Sequence, residues 1–121
     1  MSWAIEFYED EARKRPVEEF FERLPDEHVG KILQVLQMLE EWGPRLPFPY
    51  SSQVEGRLRE LRVHYGRMLY RVLYYGDARR TFVLLHVFEK RSQAVPKAEL
   101  RAAMKRMIKD QDRKGRKPWR R

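Results

Sequence analysis

Three apolar runs separated by short turns constrain this chain more than anything else in it. LRELRVHY at 58–65 is followed by Gly66-Arg67, MLYRVLYY at 68–75 by GDARR, and TFVLLHVFE at 81–89 closes the set. Each run alternates with a period of two or is apolar on both sides, as strands do, and none is long enough for a buried helix. Gly66-Arg67 has the length and the glycine of a two-residue hairpin loop. The three runs therefore predict an antiparallel meander, with MLYRVLYY as its central strand.

The first half has a different period. WAIEFY at 3–8 reads as a first strand and EDEARKR as a polar connection. Pro16 stands where a helix can begin, and Val17, Phe20, Phe21 and Leu24 follow at helical spacing before Pro25 stops them. Asp26 is placed as an N-cap, and Val29, Ile32, Leu33, Val35, Leu36 and Leu39 form a second helical stripe up to Trp42 and Gly43-Pro44. RLPFPYSSQVEG at 45–56, with prolines at 47 and 49, is expected to be an irregular loop. Pro96 opens a last helix carrying Leu100, Ala103, Met104, Met107 and Ile108 on one side.

The resulting order is β-α-α-β-β-β-α, an α+β fold. One mostly antiparallel twisted sheet carries the two N-terminal helices on one face, followed by a C-terminal helix, and the opposite face and its rim are left available. A chain of 121 residues forms one domain. That domain is expected over 1–110, with 111–121 as a basic, flexible tail.

Charge is divided unevenly along the chain. Residues 1–56 hold 6 Lys and Arg against 12 Asp and Glu, whereas residues 57–121 hold 20 against 6, and the total is +8. A basic half of this size fits a polyanion partner, and equally a solvated basic surface or a partner-binding tail. Arginine outnumbers lysine 18 to 8, which suits forked phosphate contacts. The absence of cysteine excludes disulfides and thiolate metal sites, and permits a reducing compartment. No apolar run reaches the roughly 20 residues of a membrane helix, and MSWAIEFYEDE lacks the pattern of a secretory signal.

The hairpin register makes the chemistry specific. With a two-residue loop at 66–67, Tyr65 opposes Met68 and Arg62 opposes Arg71, with Glu60 diagonal to Arg71. Like charges in opposing positions are unfavourable unless something offsets them. Two arrangements fit: solvent-facing arginines splayed apart with Glu60 as their partner, or a pair gripping a phosphate. On the third strand Phe82, Leu84, His86, Phe88 and Lys90 are expected on one side, and Thr81, Val83, Leu85, Val87 and Glu89 on the other. His86 is then either a satisfied rim histidine or, beside Arg71, Lys90 and Arg91, a group that exchanges a proton with a ribose hydroxyl or a leaving oxygen. His64, near the turn, is a weaker candidate. Phe48, Tyr50, Tyr65, Tyr74 and Tyr75 divide between core and base-stacking roles. The histidines at 28, 64 and 86 have no metal-ligand spacing, and no phosphate-cradling glycine loop or nucleophile elbow occurs. No cofactor and no metal are expected.

Taken together, L-R-E-L-R at 58–62, Y-R-V-L-Y at 70–74, L-L-H-V-F-E-K-R at 84–91 and P-K-A-E-L at 96–100 resemble the HigB-like, phage-derived branch of the RelE toxin superfamily. R-P-V-E-E-F at 15–20 and L-E-E-W-G-P at the end of the long helix resemble the same branch. The likeness runs over about residues 3–110. It implies a RelE-like fold and the toxin of a type II toxin–antitoxin pair. Its activity would be a cytoplasmic, ribosome-dependent, metal-independent mRNA endoribonuclease that inhibits translation.

By motif position the resemblance places Arg71, Lys90, Arg91, His86 and Glu60 in catalysis and Arg62 at the RNA phosphates; Lys97, Arg59 and His64 are further candidates for phosphate contacts. The implied partners are a helix-turn-helix antitoxin, the ribosome and mRNA, without a membrane, as a monomer or a complex with antitoxin. One departure matters: VPKAEL stands where many RelE toxins carry a tyrosine. Proton handling then falls to Lys97, His86 or Glu60, or the chain is a non-catalytic RNA- or protein-binding module of the same fold. A DNA-binding regulator is disfavoured, because no pair of short helices suits a major groove.

Overall fold

The structure, a computed structural model, describes residues 2–89 and 94–115. In chain order the elements are β1 (Ala4–Phe7), α1 (Pro16–Glu22), α2 (Asp26–Trp42), a single 3-10 turn at Gly43–Arg45, β2 (Ser51–Glu55), β3 (Leu58–Tyr65), β4 (Met68–Gly76), β5 (Thr81–Glu89) and α3 (Lys97–Gly115). The five strands form one sheet in the order β1-β5-β4-β3-β2. β1 pairs parallel to β5, and the remaining pairs are antiparallel.

The mixed α+β character agrees with the sequence, with two corrections to the order. The segment 45–56 is not all loop, because Ser51–Glu55 adds an edge strand to β3. Prolines 47 and 49 and the polar SSQ concealed it, and only Val54 marked a strand. The face opposite α1 and α2 is not open either. α3 lies on it, burying Ala103 and Met107 against Leu73, Tyr75, Val83 and Leu85.

Alternation sorts the central strand cleanly. Tyr70, Val72 and Tyr74 of β4 enter the core under α1 and α2, with Val17, Phe21, Ile32 and Leu39. Arg71, Leu73 and Tyr75 point to the α3 side. β5 does not alternate throughout. Leu73 pairs with His86 but Tyr74 pairs with Leu84, so Leu85 is an extra residue in a β-bulge. Phe82, Leu84 and Val87 therefore join the α1–α2 core, while Val83, Leu85 and Phe88 join the α3 core and His86 reaches α3 residues. The expected grouping of Phe82 and Leu84 with His86 and Phe88 fails at this bulge.

Gly43 ends α2 with φ of 61°, and a Cβ there would stand 2.8 Å from the Trp3 indole. The close approach lets Trp3 stack on Phe82, with ring centroids 4.4 Å apart, and dock β1 beside the helix end. The 3-10 turn that follows and the 47–50 segment lead the chain across to β2.

α3 does not end near 110. It continues to Gly115, so the first residues assigned to the tail are helical, and 116–121 lie outside the described residues. The apolar stripe runs through Ala103 and Met107 to Asp110, which is 0% exposed, and Ile108 turns to solvent. Asp110 accepts a hydrogen bond from the Tyr75 hydroxyl at 2.5 Å and pairs with Arg113 at 2.9 Å. Lys114 Nζ then reaches Asp77 at 2.8 Å, Glu6 at 3.1 Å and Asp110 at 3.1 Å. One ammonium thus ties β1, the β4–β5 turn and the end of α3 together.

Burial alone would raise the Asp77 carboxyl. Hydrogen bonds from Lys114 and from the Arg79 and Thr81 N–H groups outweigh it and hold the group below its usual 3.8. Burial would lower Lys114, but its hydrogen bonds to Asp77, Glu6 and Asp110 outweigh that and raise it above 10.5. Burial, then the neighbouring Asp110, pushes the Tyr75 hydroxyl up. The depressed Asp77 contributes stability above the ordinary carboxylate value, lost as pH falls through its folded value. The raised Lys114 contributes stability below the ordinary lysine value, lost as pH rises through its folded value. Replacing Lys114→Met leaves carboxylates buried without their cation and should cost about 2 kcal/mol, or roughly 8 °C in Tm. Thermal melts of wild type and variant across pH should differ most between about pH 5 and 10 and converge in acid and in strong base.

Candidate functional site

The site is built by the β3–β4 hairpin. Gly66 takes φ of 58°, as the first central position of a type II′ turn requires, and Tyr65 pairs with Met68 across it. The register that follows puts Arg62 opposite Arg71 and Glu60 opposite Leu73, as the loop length predicts. Glu60, Arg62, Arg71 and Phe88 face the α3 side of the sheet. Phe88 of β5 pairs with Arg71, so the arginine side chain lies between Phe88 and Arg62.

One carboxylate oxygen serves both arginines. Glu60 Oε1 is 3.3 Å from Arg62 Nη1, which donates a hydrogen bond to it, and 3.3 Å from Arg71 Nε. The second contact is an ion pair only. The Nε–H of Arg71 is not aimed at the oxygen, and Arg71 Nε, Arg71 Nη1 and Arg62 Nε are buried without hydrogen-bond partners among the described residues. Arg71 is 0% and Glu60 4% exposed, whereas Arg62 is half-buried. Opposing like charges and three unpaired N–H groups, each costing about 1–3 kcal/mol when buried, make this an under-compensated cation pair. It is not the solvent-splayed arrangement, although Glu60 is the partner of both arginines. The arginines are not splayed into solvent, and Arg71 exposes no surface to a ligand, which would meet Arg62 first.

The neighbouring loop is pinned to the same place. The Arg62 N–H donates to the Tyr50 carbonyl at 2.8 Å, and the Arg62 guanidinium lies 5.7 Å from the centre of the Phe48 ring. Phe48 is 68% exposed, and Tyr50 and Tyr65 are also exposed large aromatics. Tyr74 and Tyr75, the other two aromatics considered for stacking, are buried core residues.

His86 shares the α3 side of the sheet but is engaged elsewhere. Arg106 Nη1 donates to its Nδ1 at 3.2 Å and to the Leu85 carbonyl at 2.8 Å. With Nδ1 accepting, the neutral ring carries its proton on Nε2, which donates to Glu99 Oε1 at 2.5 Å. Both nitrogens are occupied, leaving none free to exchange a proton with a substrate in this arrangement.

The other expected residues separate. Arg59 points to the opposite side of the sheet, where its Nε and Nη2 donate to Ser51 Oγ at 3.2 and 3.1 Å beside the Tyr74 hydroxyl. Simple alternation along β3 keeps it from Arg62. His64 is exposed two residues beyond Arg62, and Lys97 is exposed at the start of α3. Lys90 and Arg91 lie outside the described residues. Arg106 was missed by the motifs, and Glu99, although inside P-K-A-E-L, was given no role. Glu99 and Arg106 are seven apart on one helix, bracketing buried Ala103, and such polar positions on an apolar stripe are the signal that marks them. Among the described residues no three His, Asp or Glu side chains stand close enough to share a metal ion.

Residues 19–108 match the family described as Phage derived protein Gp49-like (DUF891). The chain belongs to the Gp49-like family. That family is toxin-like and related to RelE and HigB, in line with the resemblance read from the strands. The match is to the Gp49-like family and not to HigB by name. Comparison with curated proteins gives no match. The Gp49-like match spans α2 through β5 and so includes Glu60, Arg62, Arg71 and His86. It stops short of Asp110 and Lys114. Among the described residues no helix is long and apolar enough to cross a membrane.

The His86 cluster gives a measurable expectation. His86→Ala and Glu99→Ala should each lower stability, with the double variant losing less than the sum. A double-mutant cycle in denaturant should return a coupling of about 0.5–3 kcal/mol between them.

Proposed function

We propose that this Gp49-like chain is the toxin of a type II toxin–antitoxin pair and cuts messenger RNA on the ribosome without a metal. The observation that carries the reading is the Arg62–Arg71 pair, two guanidinium groups sharing a single carboxylate oxygen and holding N–H donors that are unpaired among the described residues. In this reaction the ribose 2′-hydroxyl attacks the adjacent phosphorus and loses its proton to a base. The phosphorus–O5′ bond breaks and O5′ takes a proton, leaving a 2′,3′-cyclic phosphate and a free 5′-hydroxyl. The phosphorane between them carries two negative charges, which guanidinium donors in a low-dielectric site stabilise.

In this scheme Arg62 is the first phosphate contact and Arg71 the deeper one. Lys90 and Arg91 complete the cationic set. Lys97 and His64 bind flanking phosphates, and Glu60 or His86 moves protons once substrate has reorganised its contacts. Arg59, on the other side of the sheet, has no part. The partners are a helix-turn-helix antitoxin and the translating ribosome, and the setting is the cytoplasm.

A second reading is favoured by specific contacts. Full burial of Arg71 and the double engagement of His86 fit a non-catalytic RNA- or protein-binding module of the same fold.

Induced expression of wild type should arrest growth, and primer extension on translating ribosomes should show message cleavage. Arg62→Ala and Arg71→Ala should each lower cleavage by about 10²–10³-fold. Harmless wild-type expression with intact messages would decide for the binding module.

A further inference from the structure

Among the described residues Glu60 is the acid paired with Arg62 and Arg71, and its oxygen stands where a ligand oxygen would bridge the two guanidiniums. Oε1 lies 3.3 Å from each arginine. It fills the position imperfectly. It accepts a hydrogen bond from Arg62 Nη1, misses the direction of Arg71 Nε, and leaves Arg62 Nε and Arg71 Nη1 without partners among the described residues. A tetrahedral anion presents oxygens in several directions and can meet donors that one planar carboxylate oxygen cannot.

The backbone of Glu60 is held between Ser52 of β2 and Leu73 of β4. Only its side-chain torsions can clear the site, and these need no change in the sheet. The approach is from Arg62, which keeps partial exposure beside the exposed Phe48 ring.

We propose that Glu60 is a built-in stand-in for a phosphoryl oxygen. It holds the Arg62–Arg71 pair shut until an RNA phosphodiester displaces it, with the adjacent base stacking on Phe48. The proposal rests on the RNA reading of the same cluster, but makes Glu60 a gate and a counter-anion in place of a proton carrier. Removing its charge should weaken the empty protein and strengthen binding of an RNA phosphodiester together, whereas loss of a catalytic acid would lower cleavage without raising affinity.

The test compares wild type, Glu60→Gln and Glu60→Asp at matched ionic strength in chloride and in inorganic phosphate. It adds titrations with a short single-stranded RNA made uncleavable by 2′-deoxy substitution. E60Q should melt below wild type in chloride and recover in phosphate, while wild type responds little. Its RNA affinity should rise about tenfold, as expected when one charged hydrogen-bonding competitor is removed. E60D, whose shorter carboxylate cannot reach both arginines, should fall between. If E60Q is unfolded in chloride, recovery of the fold by phosphate is the same readout and E60D supplies the affinities. Equal phosphate responses in all three proteins would overturn the gate. Phosphate rescue without any gain in RNA affinity would overturn its assignment to a phosphodiester. Tighter RNA binding by E60Q with no ribosomal cleavage by wild type would support the gate and refute only the nuclease reading.

Discussion

The two-residue turn at Gly66-Arg67 is the constraint on which the rest of the site depends. It sets the pairing of β3 with β4, and with a side-chain period of two a shift of one residue would exchange the faces of a whole strand. In the observed pairing Leu61, Val63, Tyr70 and Val72 enter the α1–α2 core. The same pairing forces Arg62 against Arg71 on the other side. Core formation therefore imposes the meeting of two cations. Glu60, two residues before Arg62, falls on the same face and reaches both.

The charge division along the chain acquires a different meaning once the chain is folded. The acidic start and the basic end meet. Glu6 pairs with Lys114, Glu11 with Lys109, and the Glu9 carbonyl accepts from Arg113. Part of the basic excess that pointed to a polyanion is thus used to fasten α3 across β1 and the β4–β5 turn. The Lys109–Glu11 pair is exposed and contributes little, whereas the Lys114 cluster is half-buried and matters more. The proposed binding of RNA is supported accordingly by the arginine pair more than by net charge.

The three-strand meander, its register and the Arg62–Arg71–Glu60 grouping were legible from turn length and alternation alone. Two kinds of feature were not. β2 and the end of α3 are stabilised by tertiary partners, and their own residues are weak indicators: SSQVE carries one apolar side chain, and residues 109–115 look like a charged tail until Tyr75, Asp77 and Glu6 are set beside them. The bulge at Leu85 has no local signature, because an extra residue in TFVLLHVFE leaves the composition unchanged. It moved His86 from the expected neighbours of Phe82 to the reach of Glu99 and Arg106, and so changed what that imidazole can do.

The parallel pairing of β1 with β5 carries a consequence for biosynthesis. Ala4 to Phe7 leave the ribosome before the rest of the sheet, yet their partners are Thr81 to Leu84, and Glu6 also waits for Lys114. Such long-range closure is slow to form and comes after the local hairpins. A nascent chain can assemble the β3–β4 turn, and with it the arginine pair, before either edge of the sheet is sealed. Completion of the fold then waits for Lys114 of α3 to emerge, so the cationic pair is assembled before the clasp that fastens β1 and the β4–β5 turn to α3.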